Sequence, residues 1–250
     1  MRQTTILDVL ASRGEVSVQE LAQGLGVSLM TVRRDLTRLE RDGQITRTHG
    51  GAVLSKAGVI EFAFLEQGKV CAAEKRAIAK AVAAMIEPGM TVTLDTGTTA
   101  LEVAKAIAGI RPLTVLTSSL AIASALYAHD HIELVLLGGT ARKGSPDLTG
   151  WLTEENLKRF RVDLAVLGAD GADPDGAYTT GVSVARVSQA MIAGATRTVL
   201  GVDHTKLGKA AFVRFAEWGD LSQVVTDAGA SGATRKWLRK AVKNVTYARI

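Results

Sequence analysis

The chain has 250 residues, of which 47% are hydrophobic but only 4% aromatic, and its formal charge is +5. Its single cysteine, Cys71, excludes an internal disulfide framework, and no uncharged apolar run reaches the roughly 18 residues a membrane helix needs. With no apolar signal core after Met1 the expectation is a cytoplasmic protein, its core built from Ala, Val, Leu and Ile as in buried parallel sheets.

The charge is unevenly placed. Residues 1–55 hold seven Arg against six acids, residues 56–229 hold 17 basic against 19 acidic residues, and residues 230–250 hold six basic residues and no acid. Overall basicity therefore argues little for a nucleic-acid partner, and the positions of the arginines decide.

Apolar positions Ile6, Leu7, Val9 and Leu10 predict a short amphipathic helix that Gly14 stops. Ser17 caps a second helix, with Glu20 completing a capping box, and Gly26 permits the turn that follows Leu25. Ser28 caps a third helix to about Asp42. Its apolar face is Leu29, Val32, Leu36 and Leu39, and the opposite face presents Thr31, Arg33, Arg34, Thr37, Arg38 and Arg41. Arg34 and Asp35 are placed for a local ion pair. The alternation around Gly50-Gly51 predicts a β-hairpin wing carrying Arg47 and His49.

A basic run alone fits the solvated face of a three-helix bundle. Cap, glycine turn, arginine face and wing together favour a winged helix-turn-helix that lays its third helix in a major groove. Arginine suits guanine edges or phosphates, and threonine suits a thymine methyl or a phosphate. The candidate DNA contacts are Ser28, Thr31, Arg33, Arg34 and Arg38 on the third helix, with Arg47 and His49 on the wing. The stretch Val27-Ser-Leu-Met-Thr-Val-Arg-Arg-Asp-Leu36, followed by Arg47-Thr-His-Gly-Gly-Ala52, resembles the DNA-binding module of the DeoR family of sugar-metabolism repressors.

The expected organisation is a DNA-binding domain over 1–55, a linker over 56–72 and an effector-sensing and oligomerisation domain over 73–250. A helix from Ala73 to about Ile86 ends at Pro88-Gly89. Strands are then predicted at Thr91–Leu94, Leu113–Thr117, Ile132–Leu137, Leu164–Gly168, Thr198–Val202 and Val224–Thr226. Helices are predicted at Ala100–Ala108, Leu120–Ala128, Glu154–Phe160 and Val184–Ala193. This alternation predicts an α/β domain with a parallel sheet covered on both faces.

Ligands bind such sheets beyond the carboxyl ends of the strands. Asp95-Thr96-Gly97-Thr98-Thr99 joins a strand to a helix N-terminus and suits an anion, though it also reads as an ordinary capped turn; it is neither a Walker A loop nor a dinucleotide turn. Ser118, Gly138-Gly139, Asp170 and Lys206 follow other strands. An acid there holds sugar hydroxyls and a lysine holds a phosphate, unless Asp170 only forms a turn and Lys206 is solvated.

Ala73-Glu-Lys-Arg-Ala-Ile-Ala79, Asp95–Thr99, Leu137-Gly-Gly-Thr140, Gly168-Ala-Asp-Gly171 and Asp203–Lys206 resemble, in order, the DeoR-family effector domain. The resemblance implies a fold similar to ribose-5-phosphate isomerase used for sensing, a homo-oligomer, and a repressor of a carbohydrate operon released by a phosphorylated sugar or related metabolite. It adds Lys75 to the candidate effector residues. Two departures, Ser118 where the family often has Asn, and Val184 and Ser188 where Glu and Lys are common, mean the inducer is not borrowed from a relative.

Other chemistries have less to offer. Asp170-Gly-Ala-Asp173 resembles an isomerase active-site stretch, but no second glycine-rich lysine loop with a glutamate supplies the general base for a sugar-phosphate isomerase. Cys71 lacks a catalytic partner, and His49, His129, His131 and His204 lack ligand spacing, so no metal or cofactor is expected. Arg235, Lys236, Arg239, Lys240 and Lys243 suggest one basic helical face, either a non-specific DNA surface or, more simply, a solvated helix packed by Trp237, Leu238 and Val242.

Overall fold

The structure is a computed structural model and describes residues 2–55, 64 and 66–250. It divides into two compact units, residues 1–67 with 143–145 and residues 68–142 with 146–250.

The first unit opens with α1 (Arg2–Arg13), β1 (Val16–Ser17), α2 (Val18–Leu25) and α3 (Leu29–Arg41), and closes with β2 (Ile45–Arg47) and β3 (Gly51–Leu54). The local chemistry expected of each start and stop is present. Ser17 and Glu20 form a reciprocal capping box, Gly26 ends α2 in the left-handed conformation, and the Ser28 hydroxyl accepts from the Thr31 backbone N–H. β2 and β3 form the wing hairpin, and β1 joins its other side, so β3 is the central strand. A Cβ on Gly51 would lie 2.1 Å from the Val16 carbonyl oxygen, so the strand contact itself demands glycine.

Ile6, Leu10, Leu21, Val32, Leu36 and Leu39 form this unit's core. Two details differ from expectation. Leu29, placed on the apolar face by spacing, sits in the first turn and is 43% exposed, while Asp35 is 5% exposed. Asp35 does not pair with Arg34; its two carboxylate oxygens accept from Arg2 Nε and Nη2. α1 thereby ties onto α3 through a charge pair 33 residues apart in sequence.

The second unit contains a seven-stranded, all-parallel sheet. Its strands are β4 (Thr91–Leu94), β5 (Leu113–Thr117), β6 (Ile132–Leu136), β9 (Val162–Leu167), β12 (Ala195–Gly201), β14 (Gln223–Asp227) and β15 (Val245–Ala248), in the spatial order β15-β14-β12-β9-β4-β5-β6. Helices α4 (Ala72–Ala83), α5 (Thr98–Ile107) and α6 (Leu120–Leu126) bury Ile78, Val103 and Ile122 with Leu164 and Val166 of β9. Helices α7 (Trp151–Leu157), α8 (Val182–Gly194) and α9 (Gly232–Ala241) bury Leu157, Met191 and Leu238 with Ala165 and Leu167 of the same strand. Alternate residues of β9 thus enter different cores, which is how a two-sided parallel sheet uses the strand period of two.

Short pairings complete the unit. β7 (Thr140–Ala141) and β8 (Leu148–Thr149) form a hairpin, while β10 (Gly171–Asp173), β11 (Gly176–Thr179) and β13 (Val213–Ala216) form a small antiparallel sheet. The C-terminal basic segment is not one solvated face. Arg235 is held by the Ala228 and Ala230 carbonyls and lies 4.6 Å from the Tyr247 ring centroid, and Lys243 falls beyond α9. Trp237 packs on Trp218, and Leu238 and Val242 are buried. Among the described residues no helix is long and apolar enough to cross a membrane.

Candidate functional site

Two sites emerge, one in each unit. On α3, Arg33, Arg34 and Arg38 are exposed, and none has an acidic partner among the described residues. Three free guanidiniums on one rigid helix face suit a polyanion, because phosphates displace solvent and counterions from them without breaking protein pairs. Ser28 and Thr31 bond each other through their hydroxyls at 2.9 Å, which orders the helix start. His49 is exposed at the hairpin tip. The Arg47 N–H donates to Glu40 Oε1 at 3.4 Å, whereas Arg47 Nε is buried and lacks a partner among the described residues.

The second site lies at the carboxyl ends of the parallel strands. From β4 the chain steps outward through β5 to β6, then returns to β9 on the other side of β4 and continues through β12 and β14. The direction reverses between β4 and β9, and α5 and α8 cover opposite faces there. Such a switch point opens a crevice between diverging loops. Asp95 spans it: Oδ1 accepts from the Thr96 N–H at 2.8 Å and Oδ2 from the Gly168 N–H, after β9, at 3.0 Å. Burial outweighs those two bonds and raises the Asp95 carboxyl to about 6, with Asp147 and Asp170 adding to the rise.

Gly97 starts α5 at φ 98°, a conformation that disfavours a side chain, and no side chain caps the helix. Its first-turn N–H groups have no intrahelical acceptor. Thr98 and Thr99 are buried, and their hydroxyls make no hydrogen bond among the described residues. Lys75, on α4, is buried; burial and the neighbouring Lys206 lower its pKa, while Asp203 opposes them. Lys206 is half-buried, and its Nζ donates to the Ala169 carbonyl at 2.9 Å, so it is fixed beside the β9 loop rather than loose in solvent. The loop bearing Lys206 is anchored by Asp227, which accepts from the His204 backbone N–H, His204 Nδ1 and the Gly229 N–H.

Asp170 is exposed, and its Oδ2 accepts from the Thr179 hydroxyl and from both the N–H and hydroxyl of Thr180. Ser118 is buried after β5. Gly138 and Gly139 follow β6 at positive φ, and a Cβ on Gly139 would meet Thr153 Oγ1 at 2.1 Å, so this pair makes room for α7. Ser188 is buried and bonds the Val184 carbonyl.

Several charged groups that the fold ties together escape a reading of spacing. Arg142 of the β7–β8 hairpin donates to both oxygens of Asp147, at 2.9 and 2.7 Å, and Asp147 is 1% exposed. The signal was an Arg and an Asp flanking a Gly-Ser-Pro turn. Asp35 and Asp227 carried no local signal at all. Cys71 begins α4 in the left-handed conformation, and burial and Asp203 push its thiol pKa up, which opposes a nucleophilic role.

A family model matches residues in each unit. The DeoR-like helix-turn-helix domain matches residues 2–57, and the DeoR C-terminal sensor domain matches residues 70–228. The transcriptional repressor AccR of Agrobacterium fabrum is 36% identical over 91% of this chain and 89% of its own. The glycerol-3-phosphate regulon repressor of Escherichia coli is 32% identical over 91% of this chain and 90% of its own. Among solved structures, ribose 5-phosphate isomerase A from Neisseria gonorrhoeae matches at 15% identity over 53% of this chain and 52% of its own, with a TM-score of 0.40. With a helix-turn-helix unit whose α3 arginines are unpaired among the described residues and a sensor unit built on a parallel sheet, the chain belongs to the DeoR family of transcriptional repressors and is a regulator rather than an enzyme.

Proposed function

We propose that the chain represses a carbohydrate-utilisation operon and leaves its operator when a phosphorylated sugar or related metabolite enters the switch-point crevice. One observation carries the effector reading: an uncapped helix start at Gly97, with two unbonded threonine hydroxyls, in the same unit as Lys75 and Lys206. Helix-start N–H groups, hydroxyls and ammonium groups are what a phosphate monoester needs. The name of the glycerol-3-phosphate regulon repressor supports the same class of signal. Asp95, Thr96, Ser118, Gly138, Gly139 and Asp170 border the rest of the effector.

In this reading residues 1–55 bind double-stranded operator DNA, residues 56–72 link, and residues 73–250 sense and assemble the homo-oligomer. Ser28, Thr31, Arg33, Arg34, Arg38, Arg47 and His49 face the DNA. Its workplace is the cytoplasm, at the nucleoid. A ligand shifts such an equilibrium only through different affinity for the operator-bound and released states.

The test is thermal stability of the purified protein against sugar phosphates and their unphosphorylated parents. A ligand that binds only the folded form raises apparent stability by mass action. An upward shift with one phosphate, reduced about tenfold in affinity by Thr98→Ala with Thr99→Ala, is expected. Equal binding of parent and phosphate would remove the phosphate from this reading.

A further inference from the structure

The β7–β8 hairpin brings a guanidinium to the same sheet edge as the effector crevice. Asp147 forms an isolated bridge with Ser119, directly after β5, and the Leu148 N–H donates to the Ser118 carbonyl. Arg142, Asp147, Asp95 and Asp170 therefore stand beyond the carboxyl ends of β6, β5, β4 and β9, four strands that are neighbours in the sheet. Asp95 and Asp170 both act on the Arg142 guanidinium, and Asp147 and Asp170 both act on the Asp95 carboxyl.

Counting donors and acceptors shows what remains for a ligand. Arg142 uses Nε and Nη2 on Asp147, and its Nη1 has no protein partner among the described residues. Asp95 uses both oxygens on backbone N–H groups. Asp170 concentrates three donors on Oδ2, and Oδ1 accepts none among the described residues. Among these side chains, one guanidinium nitrogen, Arg142 Nη1 with its two N–H groups, and one carboxylate oxygen, Asp170 Oδ1, are thus left without a protein partner among the described residues.

We infer that Arg142 and Asp170 together read a hydroxylated, uncharged end of the effector, and that Asp147 sets this choice by neutralising Arg142. A hydroxyl accepts from Arg142 Nη1 while a second hydroxyl donates to Asp170 Oδ1. A carboxylate in the same place offers no proton to Asp170 and meets three carboxylates against one guanidinium. The preferred class is therefore a sugar or polyol, with sugar acids disfavoured. This rests on the effector reading above, but the choice between hydroxyl and carboxylate is independent of where a phosphate binds.

The experiment compares matched probes by calorimetry and thermal shift: glucose 6-phosphate with 6-phosphogluconate, glycerol 3-phosphate with 3-phosphoglycerate, and glucose with gluconate. Inorganic phosphate is the control. The member of the best-binding pair that lacks the carboxylate should bind at least roughly tenfold more tightly than its acid, the worth of about one hydrogen bond to a charged group. Asp147→Asn, which frees the guanidinium charge but keeps an acceptor, should move the preference toward the acid. Arg142→Gln with Asp147→Asn, a neutral pair that leaves no buried charge, should weaken the member lacking the carboxylate about tenfold without changing inorganic phosphate. If Asp147→Asn fails to fold, the double variant alone decides. Acid binding equal to or tighter than the member lacking the carboxylate, an unmoved preference in Asp147→Asn, or wild-type affinity in the double variant would overturn the inference. Failure of the phosphate reading shows differently, as equal binding of parent and phosphate, and then glucose against gluconate still answers the question. No binding by any probe would overturn both.

Discussion

The two units treat charge in opposite ways. On α3 the arginines Arg33, Arg34 and Arg38 stand exposed and unpaired among the described residues. At the strand ends of the sensor unit the charged groups are tied down: Asp147 is 1% exposed and Asp227 0%, and each is held by several donors. On the proposed function the difference follows from the ligand. A DNA backbone is long and densely charged, so solvated cations that release its counterions suffice. A small effector must be chosen from similar molecules, and that takes desolvated groups whose free donors and acceptors are few and fixed.

The comparison can be broken first at the smaller core. Leu36→Ala removes a side chain that is 0% exposed behind the arginine face, and should cost about 3 kcal/mol. Operator binding should collapse in a gel-shift titration while the effector-induced thermal shift survives. Loss of both together would show that the two activities do not divide between the units.

A comparable swing is expected from Asp95. Its folded pKa of about 6 lies above the ordinary carboxylate value of 3.8. Its contribution to stability is therefore complete below about pH 4 and lost as pH rises through about 6, amounting to about 3 kcal/mol. Chemical denaturation from pH 4 to 7 should show this fall in the wild type and a flatter profile in Asp95→Asn. Parallel profiles would mean that the carboxyl is not strained by burial.

Arg33→Ala with Arg34→Ala should weaken operator binding by roughly a hundredfold and lower the salt slope by about two, with effector affinity unchanged. The smallest effect should come from Lys236→Ala with Lys240→Ala. If the exposed lysines of α9 are only solvated, operator affinity should change by less than about twofold. A loss matching that of the α3 double variant would instead extend the DNA surface to this unit.

How much of this was legible depended on distance along the chain. The Ser17–Glu20 capping box, the Ser28 cap, the glycine at the end of α2, the wing and the parallel strands all rest on residues within a few positions of each other. Spacing alone located them, to within a few residues at the ends. The small sheet of β10, β11 and β13 and the edge strand β15 were missed, because a strand of three or four residues is defined by its neighbour. Leu29 was misplaced because helical spacing does not register where a helix's first turn meets solvent.

The sequence by itself determined which loops stand at strand ends, which helix carries the arginines, and the family. Only the tertiary structure decided which charges meet. Arg2 reaches Asp35 from another helix, Asp95 reaches Gly168 across 73 residues, and His204 reaches Asp227 across 23. These partners are brought together by helix packing and strand order, in particular by the return from β6 to β9 beside β4. A buried carboxylate needs donors wherever the fold supplies them, and local spacing carries no record of that supply.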